Sequence, residues 1–135
     1  VMMLNGALAG LVAITAEPLT PGPITAMIIG SIGAIIMYFG TKMLESYGLD
    51  DVVGAIPVHM FAGIFGTLVV PLTNSETSFG TQFIGTASVC IFSFGLSWIT
   101  FTLLKSTIGL RISKAAEKLG TDKAEVGVTA YSIRD

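Results

Sequence analysis

Long apolar runs separated by isolated charges dominate the chain. Residues 1–16, 18–41, 52–75 and 77–104 contain no Asp, Glu, Lys or Arg. A helix that crosses a bilayer needs roughly 20 mostly apolar residues. The last three runs reach that length. The first is shorter and begins at Val1 without a polar flank, as expected of a stretch that opens inside a helix. Amphipathic soluble helices carry polar or charged residues along one face, turn after turn, and these runs lack that pattern. Four helical segments are therefore predicted, at about 1–16, 22–44, 52–70 and 79–110, with a polar tail over 111–135. Pro21 and Pro23 suit the start of the second segment, because proline is tolerated in a first helical turn. Asp50 and Asp51 precede the third, where acidic groups favour a helix N-terminus.

Composition sharpens this into a fold class. Hydrophobic residues make up 52% of the 135 positions and charged residues 12%, against about 25% charged in a typical soluble domain. The expected class is an all-α integral membrane protein. Its basic residues are Lys42, Lys105, Arg111, Lys114, Lys118, Lys123 and Arg134. With four alternating spans, Lys42 and the tail share one side, while the loops 17–21 and 71–78 share the other and hold no Lys or Arg. Basic residues accumulate on the cytoplasmic side, so Lys42 and the tail are expected there, in a multi-pass protein of the cell membrane. Gly6 and Gly10 lie four apart, as do Ala62 and Gly66, and Gly30, Gly33, Gly63 and Gly85 extend the small-residue pattern. Such spacing lets helices approach closely in lipid. A compact bundle is expected rather than separate anchors.

His59, the one histidine, is the candidate for chemistry. It falls about eight residues into the third segment, on the order of 12 Å along a helix, near mid-bilayer. Ionisable residues at that depth are costly and face a cavity, pore or partner. Apolar surroundings disfavour the imidazolium, so a neutral ring is expected. A neutral ring has one donor and one acceptor nitrogen. It could bind a small polar solute, relay a proton, or simply hydrogen-bond a neighbouring helix. Pro57 removes a backbone hydrogen bond and can kink the helix just before it. Asp50 and Asp51 either cap the helix or order the cytoplasmic mouth through Lys42 or the tail. Glu17, at the other end, reads as a solvated loop residue or an attractor of cations.

Other chemistries find little support. No His/Cys/Asp/Glu cluster has metal-site spacing, no glycine-rich phosphate loop is present, and no nucleophile elbow occurs. No cofactor, enzymatic activity or nucleic-acid partner is expected. Cys90 is alone and reads as a small packing residue. A net charge of −2 adds little.

Three stretches resemble one family. Asp50-Asp51-Val52-Val53-Gly54-Ala55-Ile56-Pro57-Val58-His59, followed by Ala62-Gly63-Ile64-Phe65-Gly66-Thr67-Leu68, is similar to a segment of the ammonium transporter (Amt/Mep/Rh) family. There, an Asp-Asp pair precedes Gly-Ala, Val-His-Gly and Gly-Ile-Trp-Gly-Thr-Leu. Asn5-Gly6-Ala7-Leu8-Ala9-Gly10-Leu11-Val12-Ala13-Ile14-Thr15 resembles a second family stretch. Leu110-Arg111, Leu119-Gly120-Thr121-Asp122 and Gly127 with Ala130-Tyr131 loosely match its tail.

The resemblance implies a partial ammonium-transporter bundle: the last four membrane segments of an eleven-helix fold built from two inverted halves and assembled as homotrimers. It implies ammonium or ammonia as the transported species. It makes His59 the second of twin pore histidines, with Asp50, Asp51, Pro57, Gly63 and Gly66 as structural or pore-mouth support. A PII-type regulator at the cytoplasmic face becomes a possible partner. Some relatives join this membrane body to a cytoplasmic signalling domain, so an ammonium sensor is the alternative function. Departures from the family pattern are Met60 after the histidine, Phe61 beside it, Phe65 for tryptophan, Glu17 for a small residue and Val126 for the tail's histidine.

Overall fold

A computed structural model describes residues 1–130. The end of the expected tail, 131–135, with Tyr131 and Arg134, lies outside the described residues. The chain divides into two units, Val1–Ile91 and Phe92–Asp135.

In the first unit, helix α1 (Met2–Ile14) packs against α2 (Pro23–Ser46) and against an apolar helical stretch, Ile56–Leu72. That stretch changes character along its length. It begins as a π-helix, Ile56–Phe61, continues as α3, Ala62–Val69, and closes with a 3₁₀ turn, Val70–Leu72. The start expected at about residue 52 is thus displaced to Ile56, because residues 52–54 are occupied by a turn. Helix α4, Phe79–Thr107, begins in the first unit and supplies residues to the second.

Local sequence explains the boundaries. Gly22 is extended and Pro23 opens α2, where its missing N–H costs nothing. At the other end, Gly48 adopts a φ of 67°. The Gly48 and Leu49 amides then reach back to the Glu45 and Leu44 carbonyls, both at 3.0 Å. That pair of bonds is the Schellman arrangement, which satisfies carbonyls at a helix end.

Small residues hold the first unit together. The Gly10 and Gly30 backbones nearly touch: a Cβ at Gly10 would lie 3.1 Å from the Gly30 carbonyl oxygen. A Cβ at Gly33 would lie 2.6 Å from that of Ala13 and 3.0 Å from the Ala9 carbonyl oxygen. Gly66 sits directly against the Ala13 carbonyl. Ala9, Met37, Val58 and Ala62 form the buried cluster, with Val12 packed onto it. Close backbone approach of this kind gathers many weak dispersion contacts.

Two helices, Pro23–Ser46 and Phe79–Thr107, are long and apolar enough to cross a membrane. Met2–Ile14 and Ile56–Leu72 are apolar but shorter. Many large apolar side chains on these helices are exposed, among them Phe83, Phe92, Phe94 and Trp98 of α4.

In the second unit, the expected tail contains order that polarity alone did not suggest. Ser113 caps a short helix, α5 (Lys114–Leu119), by accepting from the Ala116 amide at 3.1 Å. Downstream, the Asp122 carboxylate accepts from the Ala130 amide at 2.9 Å. That amide first, and that of Lys123 next, hold the Asp122 carboxyl below its usual range.

Two outcomes are expected. Gly66→Val should lower the thermal midpoint of the full-length protein in detergent, through an overpacking cost of about 1–3 kcal/mol. Gly95→Val, where no atom lies within 4 Å of the added Cβ, serves as the comparison; equal losses would contradict the packing account. For Asp122, a lowered folded-state value means that the carboxylate contact stabilises the tail above the ordinary Asp range and is lost as pH falls through the lowered value. Carboxyl ¹³C NMR should therefore give a midpoint below the model-peptide value of about 3.9. A midpoint at or above it would remove the Ala130 contact from the account.

Candidate functional site

His59 owes its position to a compact device just before it. Gly54 has a φ of 75°, a left-handed conformation that glycine adopts without a Cβ penalty. Its amide closes a turn onto the Asp51 carbonyl at 3.0 Å. The Asp51 carboxylate then accepts two backbone amides, Ala55 at 2.9 Å and Ile56 at 2.8 Å. These would otherwise be unsatisfied donors at a helix start. Both Asp51 oxygens are therefore engaged with the backbone.

Pro57 has no N–H to give to the ladder. It sits in the first turn, where that donor has no intrahelical partner, and in the turn before it the Val53 carbonyl accepts from the side-chain amide of Asn5 on α1, at 2.9 Å. From Ile56 the chain winds as a π-helix, and the Ala62 amide reaches back to the Pro57 carbonyl. A wider turn shifts the angular phase of the residues that follow; such segments are rare and recur at functional sites.

The resulting arrangement separates neighbours. Pro57 and Val58 are buried, whereas His59 and Met60 are exposed. The ring of Phe61 lies in a notch above Gly40 on α2, close to Pro57. Phe61 thus spends its bulk on interhelical packing. The His59 side chain has no hydrogen bond among the described residues. Its ring stands on the exposed side of a helix whose residues Pro57 and Val58 are buried.

The other expected site residues distribute unevenly. Gly63 packs near Val12 and Gly66 lies against α1; both serve the helix contact. Asp50 is exposed and, with Thr41, Glu45, Asp51, Gly54 and Pro57, lines a small cleft of about 140 Å³. Lys42 pairs with Glu45 at 2.8 Å. Among the described residues, no group of three potential ligands could hold a metal ion.

Two contacts lay beyond the reach of local pattern. Asn5 bonds a carbonyl 48 positions away. Glu17 accepts from the Asn74 side chain at 2.9 Å, while Asn74 Oδ1 accepts from the Glu76 amide at 2.9 Å. Glu17 is therefore a partner in a clasp between two loops, not only a solvated loop residue. A polar residue inside an apolar helix was the available signal for Asn5. For Glu17 there was none beyond its departure from a small residue.

The fold is a set of packed apolar helices stitched by small residues, two of them long and apolar enough to cross a membrane. A model of the Ammonium Transporter Family matches residues 1–131, and the chain belongs to that family. Among its relatives, ammonium transporter Amt2 of Archaeoglobus fulgidus is 38% identical over 150 residues, covering 96% of this chain and 32% of that protein. Amt2 of Methanocaldococcus jannaschii is 36% identical over 135 residues, covering 94% of this chain and 32% of its own length. The ammonium transporter of Corynebacterium glutamicum is 32% identical over 145 residues, with coverage of 96% and 32%. The chain thus spans about a third of the length of these relatives.

Asp51→Ala should remove both carboxylate contacts and cost about 1 kcal/mol. The expected readout is a lower thermal midpoint of the full-length protein, with faster amide exchange at Ala55 and Ile56. Unchanged exchange at both amides would show that the cap does not hold the helix start.

Proposed function

We propose that the full-length protein conducts ammonium or ammonia across the cell membrane, and that His59 lines the pathway as a neutral hydrogen-bonding residue. Family membership and the names of the relatives support the transported species. One observation carries the role of His59: it stands exposed on a π-helical turn whose adjoining residues Pro57 and Val58 are packed inward. A neutral imidazole offers ammonia a donor and an acceptor. Desolvating a cation is expensive, which favours passage of neutral ammonia along the apolar part of the route, with the proton moved separately.

In this reading the four apolar helices belong to the membrane layer of a larger helical body that assembles as a homotrimer. The distribution of basic residues supports a cytoplasmic position for Lys42 and the tail. Asp50 and Asp51 then stand near the cytoplasmic end of the helix that bears His59, and a PII-type regulator would act on this face.

The test is isotope-tracked amine uptake together with ammonium-induced current in proteoliposomes of the full-length protein, beside His59→Ala at equal incorporation. A lost hydrogen-bonding partner along a dry path corresponds to about 1–3 kcal/mol, so a roughly tenfold fall in flux, or a changed charge per amine, is expected. Unchanged flux and current would remove His59 from the pathway. Specific ammonium binding without uptake or current in the unsubstituted protein would replace the transporter reading with that of an ammonium sensor.

A further inference from the structure

We propose that the stretch from Lys105 to Leu119 is an interaction surface for anionic phospholipid headgroups, which holds the start of the tail against the membrane. It rests on the reading of α4 as a membrane span and on nothing about amine flux.

Length places the stretch at the membrane surface. The 29 residues of α4 rise about 43 Å at 1.5 Å each. A bilayer measures roughly 40–45 Å with its headgroup layers and about 30 Å without them. An α4 that spans the membrane therefore ends within a headgroup layer. Its charge-free run closes at residue 104, and Lys105 follows. The Ile108 and Gly109 amides both return to the Leu104 carbonyl, at 3.1 and 3.0 Å, and Gly109 takes a φ of 80°. The helix stops there. Arg111 comes four residues after Thr107 and Lys114 seven. At about 3.5 Å per residue in the most extended chain, they stay within roughly 14 and 25 Å of the helix end.

Charge identifies the partner. Between residues 105 and 118, Lys105, Arg111, Lys114 and Lys118 stand against Glu117 alone, whereas the rest of the chain holds three basic and eight acidic residues. All four basic side chains are exposed. The ion pair found among the described residues, Lys42 with Glu45, lies in the other unit. Asp122, the next acid along the tail, is engaged by the backbone amides of Ala130 and Lys123. The excess positive charge thus has no counterpart among the described residues of its own unit. Basic residues beside a span attract anionic headgroups, each strengthening the contact about fivefold.

Apolar neighbours favour a lipid surface over a soluble acidic partner. Ile108, Leu110 and Leu119 are exposed. On α5, Lys114 and Lys118 lie four apart on one face, and Ala115 and Leu119 four apart on the adjoining one. A basic strip beside an apolar strip suits the headgroup boundary, with apolar side chains toward the acyl region. The long stems of Lys and Arg let their charges reach phosphates while the stems stay on apolar surface.

The experiment reads amide exchange over residues 108–119 of the full-length protein, in bilayers of phosphatidylcholine alone or mixed with phosphatidylserine. Exchange should slow about fivefold or more in the mixed bilayer, and the slowing should vanish near 1 M salt, where the Debye length is about 3 Å. Combining Arg111→Gln, Lys114→Gln and Lys118→Gln should abolish the difference between the bilayers. Combining Arg111→Lys, Lys114→Arg and Lys118→Arg should keep it, which separates charge from side-chain shape. Soluble glycerophosphate added to phosphatidylcholine bilayers should not reproduce the slowing. Equal exchange in the two bilayers, or a lipid dependence that survives in the glutamine variant, would overturn the proposal. So would slowing that appears only when an acidic soluble protein is added. A spin label on Cys90, mid-way along α4, reads the span separately: greater access to oxygen than to a water-soluble nickel complex places it in the bilayer, and the reverse would remove the span and the proposal with it. Amine flux enters none of these readouts, so failure of the transporter reading is seen apart.

Discussion

Close contact between α1 and its two neighbours is the constraint on which the first unit depends. Apolar helices in lipid gain nothing from the hydrophobic effect by meeting one another, so their association rests on packing and interhelical hydrogen bonds. Gly10, Gly30, Gly33 and Gly66 bring backbones into direct contact. Once α1 lies that close, a side chain as short as asparagine reaches a carbonyl on the neighbouring segment. The Asn5 contact before His59 is thus made possible by the close approach at the glycines.

The same residues show how much the sequence could reveal. Charge-free runs announced the apolar helices, and two of them, α2 and α4, have the length and hydropathy of membrane spans. Pro57 announced a disturbance beside His59, because a missing N–H is a local property. Its form was not legible. The π-turn that follows it depends on how the segment packs against α1 and α2, and the Asn5 contact on the preceding turn comes from 48 positions away on another helix. Asp51 was readable as a cap, since capping is also local, though not its grip on two amides. The partner of Glu17 was hidden for the same reason as that of Asn5. In the tail, the Ser113 cap follows a known local preference, yet polarity masked the short helix after it.

The departures around His59 look different once the packing is known. Phe61 appeared from the sequence to crowd the histidine, but its ring fills the notch over Gly40. Large residue and missing side chain fit together across the α2 interface at the end of the π-helix, as Asp51 holds the amides at its start. Met60 is the substitution that remains on the exposed side with His59. A thioether there is flexible and polarizable. It adds no charge and no strong hydrogen-bonding group beside the ring.

That distribution explains why the histidine can be the only strongly polar side chain on its turn. Other residues hold the segment around it: Asp51 accepts two amides, Asn5 donates to the Val53 carbonyl, and Gly40 receives Phe61. His59, which makes no side-chain hydrogen bond among the described residues, would offer its ring to a small solute in the proposed transporter. In the proposed transporter, rigidity of the scaffold and availability of the imidazole come from the same packing.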